Sequence, residues 1–161
     1  MDESSDSSDA ELYKKAKMAA FELLSRREHS SLEIKRKLSR RSYLADVDLD
    51  ALCDELVSDG WLNHSRFVES FIRARRNRGQ GPIRIINELK QRGIQSEEYQ
   101  DKITAYDDWN DLVYETLQRK TDRWDNEQKI QAKWQRFLLQ RGFSYQSVRY
   151  ALDQLKINTD L

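Results

Sequence analysis

Two glycines and a proline interrupt a basic segment in the middle of the chain, NRGQGPIRIINELKQRGI, residues 77–94. Glycine-rich loops can cradle phosphate groups, because their backbone amides approach the ligand closely. A P-loop, however, ends in Gly-Lys-Ser or Gly-Lys-Thr, and a dinucleotide-binding loop follows a strand. The segment has neither feature. We therefore interpret Gly79 and Gly81 as the end of one helix and the passage to the next, with Pro82 in the first turn of that next helix.

Arginine is the residue type that this segment concentrates. Residues 73–78 contain four arginines and no acid, and like charges so close together repel one another unless a partner neutralises them. The alternative for each single arginine is a solvated helix face, and Arg84 with Glu88 has the spacing of an ordinary ion pair. The cluster as a whole predicts a surface for a charged partner, made of Arg66, Arg73, Arg75, Arg76, Arg78, Arg84, Lys90 and Arg92.

No other combination of residues has the spacing of a catalytic or metal site. The two histidines, His29 and His64, are isolated from each other and from the single cysteine, Cys53, so the pattern of a zinc site is lacking. No Gly-x-Ser-x-Gly motif occurs. We therefore expect no enzymatic activity, no metal and no cofactor. Cys53 lies in a helical run, which predicts a small buried side chain in a reducing compartment.

The four tryptophans allow two interpretations. Aromatic rings stack on the bases of single-stranded nucleic acid. The spacing and the apolar neighbours of Trp61, Trp109, Trp124 and Trp134 favour packing in the core or between repeat units instead. Trp124 is the most ambiguous of the four, because the residues around it are polar.

The elements that must position these residues are predicted to be helices. The chain has 161 residues, of which 35% are charged, with only 5 Gly and 1 Pro. This composition is typical of solvated amphipathic helices. No apolar run approaches the roughly 20 residues that span a bilayer, so we expect a soluble cytoplasmic protein. The acidic, serine-rich residues 1–10 are predicted to be a disordered leader.

A short motif recurs with a period of about 50 residues, in KLSRRSY (37–43), ELKQRGI (88–94) and FLLQRGF (137–143). Gly93 and Gly142 fall where a helix ends with a left-handed residue, and Ser42 takes the same place in the first copy. We predict an all-α tandem array of three three-helix repeat units, elongated and curved. The units span residues 11–60, 61–107 and 108–161.

Start signals support the second helix of each unit. Ser30 followed by Glu33 predicts a capping box, Pro82 suits a first turn, and Asn126 is predicted to cap the corresponding helix of the third unit.

Positive and negative charges are segregated along the chain, although 28 basic and 28 acidic residues cancel. Residues 129–149 have five bases and no acid, whereas residues 44–59 have six acids and no base. Stacked repeats would align like charges, which predicts a basic edge and an acidic edge. The secondary part of the basic edge is predicted to contain Lys35, Arg36, Lys133 and Arg136.

Residues 59–94, DGWLNHSRFVESFIRARRNRGQGPIRIINELKQRGI, resemble the central signature of the RecX family, the regulators of the RecA recombinase. Residues 23–38 and 129–148 resemble the first and last units of that family, although Ser42 replaces the glycine of the other two units. The matching elements of the central signature are Gly60 with Leu62, Ser65-Arg66-Phe67, Arg73 with Arg75, Gly79, Gly81-Pro82, Arg84-Ile85, Glu88-Leu89 and Gly93-Ile94.

The resemblance implies tandem three-helix repeats and a non-enzymatic protein that binds the groove of the RecA filament on single-stranded DNA. It also implies restraint of ATP hydrolysis, strand exchange and coprotease activity, and hence a role in DNA repair, homologous recombination and the SOS response. The alternative is a direct DNA-binding module, for single- or double-stranded DNA, in which the arginines neutralise phosphates. We expect a monomer that does not bind membranes.

Overall fold

The computed structural model describes residues 3–160, and their side chains from residue 6 onward. Within these residues the fold is all-α, with no strand, which confirms the predicted helical repeat array. A short 3-10 helix, Ser42–Leu44, follows the second helix. The α-helices are α1 (Glu3–Arg26), α2 (Ser31–Ser39), α3 (Leu49–Ser58), α4 (His64–Asn77), α5 (Pro82–Gln91), α6 (Ser96–Thr104), α7 (Trp109–Gln118), α8 (Gln128–Gln140) and α9 (Tyr145–Thr159).

Helix α1 is longer than the sequence predicts. It begins at Glu3, so residues 3–10 of the predicted disordered leader are helical, while residues 1 and 2 lie outside the described residues. No Gly or Pro interrupts residues 3–26. Acidic residues such as Asp6 also suit the positive end of the helix dipole. Helix propensity and the dipole together therefore outweigh the polar composition of this segment.

Two of the three predicted start signals are confirmed. The Ser30 hydroxyl accepts a hydrogen bond from the Glu33 amide at 3.1 Å, and the Glu33 carboxylate accepts one from the Ser30 amide at 3.2 Å. Pro82 is the first residue of α5. The prediction for Asn126 is wrong, because α8 follows Glu127 and the Asn126 side-chain oxygen instead accepts a hydrogen bond from the Trp124 indole at 2.9 Å.

The recurring glycines lie at helix ends, as predicted. Gly79, Gly93 and Gly142 follow α4, α5 and α8 with φ of 71°, 76° and 94°. Ser42 does not adopt this conformation, since no non-glycine residue in the described chain has a positive φ. The first copy of the motif continues into the 3-10 helix instead.

The described chain divides into two compact units. Unit 1 contains the residues up to Val68 together with Arg92–Ile94. Its core includes Cys53, which is 3% exposed as the sequence predicts, and burial raises the pKa of the Cys53 thiol to about 11. The buried residues of this core are Ala16, Ala19, Ala20, Ile34, Leu38, Leu44, Leu52, Cys53, Leu56 and Leu62.

Unit 2 contains Glu69–Gln91 and the residues from Gln95 onward. Helices α7, α8 and α9 enclose one of its apolar clusters, in which Trp134 lies as predicted. The buried residues of this cluster are Leu112, Val113, Leu117, Trp134, Leu138, Phe143, Val148, Ala151 and Leu155. The repeat boundaries proposed at residues 60/61 and 107/108 fall in the connections between α3 and α4 and between α6 and α7.

Every described helix is too short or too polar to span a bilayer. The described residues also contain no group of three or more His, Cys, Asp and Glu side chains that could hold a metal ion.

Candidate functional site: a basic surface

The predicted basic cluster consists of side chains with different degrees of burial and pairing. Two arginines are largely buried, three cations form more exposed ion pairs, and three are exposed without an ion pair or hydrogen bond to any described residue. These sets are Arg75 and Arg76; Arg66, Arg84 and Arg92; and Arg73, Arg78 and Lys90.

Arg76 packs inside unit 2. Its Nη2 atom donates to both carboxylate oxygens of Asp108 at 2.7 Å, and the side chain is only 11% exposed. The guanidinium carbon lies 4.0 Å from the ring centre of Tyr106 and 4.4 Å from that of Trp109. Arg76 therefore joins α4 to the start of α7 and is unavailable to a partner in this arrangement.

Arg75 and Arg84 share one carboxylate in unit 2. Glu88 accepts from Nε of Arg75 at 2.6 Å and from Nε of Arg84 at 3.1 Å, so the predicted pair of Arg84 and Glu88 is confirmed. Burial by itself raises the pKa of Glu88, but the two guanidinium groups outweigh it and hold that pKa below its usual value. Arg75 also lies 4.3 Å from the ring centre of Phe71, which makes it a second structural arginine.

Two predicted cations belong to unit 1. Arg66 donates to the Glu28 carboxylate at 2.9 Å and to the Gly60 carbonyl at 2.9 Å. Arg92 pairs with Glu33 at 3.3 Å. Both side chains have acidic neighbours, so they add less positive potential than an unpaired arginine would add.

Arg73, Arg78 and Lys90 remain as the accessible members of the cluster. All three belong to unit 2 and are exposed. None of their side chains forms a hydrogen bond or an ion pair with the residues that the structure describes. Their charges are therefore accessible to an anionic group of a partner.

The glycine-proline segment packs against the end of α8. The Gly81 amide donates to the Arg141 carbonyl at 2.7 Å, and the Ile83 amide donates to the Gly142 carbonyl at 3.0 Å. A Cβ atom added to Gly81 would lie 2.7 Å from the Phe143 nitrogen, which is too close for any side chain. Gly81 is thus required for close packing, whereas Gly79 has the left-handed conformation that ends α4.

This packing brings together cations that are distant in the sequence. Arg141 donates from Nη1 to the Arg78 carbonyl at 2.9 Å, and Arg84 donates from Nη1 to the Gln140 carbonyl at 3.4 Å. Lys120 and Arg141 lie 5.1 and 5.3 Å from the ring centre of Phe137. We call the group of Arg78, Arg84, Lys120, Phe137 and Arg141 the α8 basic surface.

Sequence reasoning missed Lys120, Phe137 and Arg141 as parts of this surface. Arg141 is in the recurring QRG motif, and residues 129–149 are strongly basic, so a signal for it was present. Lys120 lies in a segment, residues 95–128, that is acidic overall. It approaches Phe137 only through the packing of α7 and α8, which the sequence does not reveal.

The predicted secondary basic edge is divided between the two units. In unit 1, Lys35 pairs with Asp50 at 2.7 Å, and Arg36 is exposed on the same helix. In unit 2, Lys133 is exposed one helical turn before Phe137, and Arg136 is exposed with its Nε atom 3.4 Å from the Ala132 carbonyl. Lys133 and Arg136 thus share α8 with the basic surface.

Two tryptophans, Trp61 and Trp109, are not fully buried in the core. Trp61 is 57% exposed and packs edge-on against Phe21 of the first predicted repeat, with 5.2 Å between ring centres, so of the two alternatives it fits packing between repeats and not the core. Its neighbour Leu62 fills the buried position instead. Trp109 is half-buried against Arg76.

Known proteins resemble the chain over most of its length. Two family models match it, described as the second and third three-helix domains of RecX, at residues 63–101 and 107–152. A regulatory protein RecX from Chromohalobacter salexigens is 36% identical over 141 residues, which cover 87% of this chain and 92% of the relative. A second, from Pseudomonas savastanoi pv. phaseolicola, is 38% identical over 77% of this chain and 81% of the relative.

Solved structures share the fold. The crystal structure of RecX from Lactobacillus salivarius matches with a TM-score of 0.74 over 91% of this chain and 97% of that chain. The sequence identity in this match is 24%, so the likeness concerns the fold.

Proposed function

The chain belongs to the RecX family, and from this premise we propose that it is a negative regulator of the RecA recombinase. It binds in the groove of the RecA filament on single-stranded DNA and thereby restrains ATP hydrolysis, strand exchange and coprotease activity. The observation that carries this proposal is the similarity to proteins named regulatory protein RecX over 87% of the chain. Its context is DNA repair, homologous recombination and the SOS response, in the cytoplasm and as a monomer.

The regulator acts by binding and not by catalysis. A filament offers the same surface at every protomer, and an array of repeats suits such a partner because like positions recur along it. Regulation then depends on contacts that restrict the motions of the filament. The regulator needs no reactive side chain for this.

The exposed cations of unit 2 make the contact with the RecA filament. Arg73, Arg78 and Lys90 are accessible in unit 2 and lack ion pairs with the described residues. Arg75 and Arg76 instead hold the fold, because Glu88 and Asp108 neutralise them. This division supports a contact surface smaller than the whole basic cluster.

RecA-dependent ATP hydrolysis on single-stranded DNA tests this proposal. We expect inhibition by the natural protein at amounts too small to coat the DNA. A variant with Arg73, Arg78 and Lys90 changed to Ala should inhibit roughly tenfold less well, in line with the loss of about 1.4 kcal/mol of binding.

The matched control changes three exposed cations outside the surface, Lys15, Arg40 and Lys129, to Ala. It removes the same charge and should inhibit like the natural protein. Equal weakening of both variants would show that total charge, and not this surface, determines the effect. Absence of inhibition by the natural protein would refute the regulatory proposal itself.

A second candidate function is direct DNA binding, which the α8 basic surface favours. Lys120 and Arg141 flank an aromatic ring beside Arg78, an arrangement that suits the phosphates of a nucleic acid. Affinity for DNA alone should then fall steeply with salt, with a slope of about 0.7 per phosphate contacted on a single strand. If binding to DNA without RecA is undetectable at low salt, this candidate is excluded.

A further inference from the structure

A groove with a mixed apolar and polar lining lies between α8 and α9 in unit 2. Its volume is about 590 Å³, within the range of small-ligand sites. Gln131 and Gln135 form its wall on α8, two positions from Lys133 and Phe137. Residues two positions apart are about 200° apart around a helix. The groove and the α8 basic surface are therefore on different sides of α8.

The lining of the groove combines apolar, aromatic and polar side chains. Of its residues only Val148 and Leu152 are aliphatic. Trp124 and Tyr145 contribute aromatic rings, and the remaining lining side chains are three glutamines, an arginine and an aspartate. Flat rings, planar amides, one cation and one carboxylate suit a flat ligand that carries both an anionic group and hydrogen-bond donors at its edge.

Several of these groups have no partner. Arg149 and Asp153 have the spacing of a helical ion pair, yet they form none, and neither side chain bonds to any residue in the described chain. Tyr145 is 72% exposed. A guanidinium, a carboxylate and a phenol thus face the groove with their hydrogen-bonding capacity unused.

Trp124 is held in place although the sequence around it is polar. Its amide donates to the Thr159 hydroxyl at 2.8 Å, and its indole nitrogen donates to Asn126 at 2.9 Å. The ring lies against Trp134 with 6.1 Å between ring centres, and the Lys156 ammonium is 5.9 Å from its centre. A ring fixed in this way loses little conformational entropy when a ligand stacks on it.

We propose that this groove binds one unpaired nucleotide. The base stacks on Trp124, the phosphate pairs with Arg149, and the carboxylate of Asp153 accepts a hydrogen bond from the amino group of the base. The same chemistry is offered by a free nucleotide and by an unpaired nucleotide of single-stranded DNA, whereas a duplex hides its bases. The inference stands apart from the proposed regulation of RecA, since it is argued from the chemistry of the groove alone.

Fluorescence anisotropy of a labelled single-stranded oligonucleotide of cytosine and adenine, without RecA, tests the site. Free dCMP and a duplex of the same sequence serve as competitors. Trp124→Ala should weaken binding of the strand about five- to a hundredfold, as the loss of one stacked base predicts. Arg149→Gln and Gln135→Glu should also weaken it, because one removes a cation and the other adds an anion.

Matched controls change the same residue types elsewhere. Arg40→Gln and Gln100→Glu alter exposed positions outside the groove and should leave binding unchanged. Trp124→Phe keeps a ring beside Trp134, so it should retain more binding than Trp124→Ala and guards against a folding defect.

Competition by dCMP would identify the nucleotide itself as the ligand, and competition by unlabelled strand alone would identify single-stranded DNA. Equal binding of the groove variants and the controls, or competition by the duplex as strong as by the strand, would overturn the proposal. If the natural protein binds the strand but does not inhibit RecA, only the proposed regulatory function is refuted. Failure of the groove proposal and failure of the regulatory proposal are therefore distinguishable.

Discussion

The guanidinium of Arg76 is held by a carboxylate and two aromatic rings. One of its terminal nitrogens, Nη2, bonds to Asp108, while the other, Nη1, is buried without a hydrogen-bond partner among the described residues. Removal of the side chain would leave a gap between Tyr106 and Trp109 and a carboxylate without its counter-charge. The residue thus contributes to stability more than to surface charge.

Arg76→Ala should lower the free energy of unfolding by about 2 kcal/mol. The estimate is modest because Asp108 is 48% exposed and water partly compensates it. Arg73→Ala, at an exposed position on the same helix, should change stability by less than about 0.5 kcal/mol. Urea denaturation of both variants measures the difference, and equal stability of the two would contradict the structural role of Arg76.

His29 is buried as a neutral imidazole in unit 1. It is 1% exposed, its Nδ1 atom lies 3.0 Å from the Arg27 carbonyl, and its Nε2 atom lies 3.2 Å from the Lys37 ammonium. Nδ1 therefore donates and Nε2 accepts, which only the neutral ring can do. Burial lowers the pKa of His29 below 6.5.

The stability of the protein should fall as the pH decreases below about 6.5, the ordinary pKa of histidine. Below that pH the unfolded state binds a proton that buried His29 does not yet bind, so the free energy of unfolding decreases. A loss of stability between pH about 7.5 and about 5.5 is therefore expected. His29→Gln should show a smaller loss, since it lacks this buried imidazole. Denaturation at the two pH values measures it, and identical losses would contradict the assignment.

Local sequence signals predicted residues whose partners are near in the chain. Arg84 and Glu88, four residues apart, and Ser30 with Glu33 behaved as expected. Arg76 could not be assigned in this way, because Asp108 lies 32 residues away. A cation with a distant counter-charge cannot be distinguished from an exposed one by spacing alone.

At the scale of the element, glycines set both the ends of helices and their distances from one another. Gly60 and Gly142 have similar positive φ angles, 78° and 94°, in different surroundings. A Cβ atom on Gly60 would meet nothing within 4 Å, whereas one on Gly142 would lie 2.5 Å from the Arg84 nitrogen. The pair thus separates the cost of backbone strain from the cost of a steric clash.

Gly60→Ala should destabilise the protein by about 1 to 2 kcal/mol, the cost of a left-handed alanine. Gly142→Ala should cost roughly 1 to 3 kcal/mol more, because the backbone of α5 must also move. Thermal unfolding monitored by circular dichroism compares the two variants. A smaller effect at Gly142 than at Gly60 would mean that the contact of α5 and α8 is easily displaced.

The helices and the glycine ends could be predicted because they depend on composition and on residues close in sequence. The close approach of Gly81 to Gly142 could not be predicted, because it joins segments about 60 residues apart and has no periodic pattern in the sequence. The helical start of α1 and the wrong cap at Asn126 show the same limit. The polar composition of residues 3–10 favours disorder, but helix propensity prevails. The type of residue 126 favours a cap, but its side chain bonds to Trp124 instead.

At the scale of the whole molecule, unit 1 is not continuous in sequence. It takes in Arg92–Ile94, and Gly93 lies so close to Leu32 that an added Cβ atom would be 3.1 Å from its side chain. Ile94 is 2% exposed. A fragment of residues 1–60, the end of the first predicted repeat, lacks these residues and also Phe67 and Val68.

Such a fragment should be digested by trypsin faster than a fragment of residues 1–95, although the longer one has more cleavage sites. The reason is the apolar surface that residues 61–68 and 92–94 cover within unit 1. Limited proteolysis with analysis of the products by mass spectrometry measures this. Equal resistance of the shorter fragment would indicate that the first predicted repeat folds without residues 92–94.

The backbone contact between Gly81 and Gly142 also fixes which residues of the two segments lie opposite each other. A slip of one residue would place Gln80 or Pro82 opposite Gly142, or Arg141 or Phe143 opposite Gly81, where no side chain fits. Asp122 and Arg123, which precede Trp124 in the connection between α7 and α8, are exposed and free of this restriction. Insertions should therefore be tolerated between Asp122 and Arg123 and rejected between Gly81 and Arg84, which gives protein engineers one position for adding a tag or a reporter domain and one to avoid.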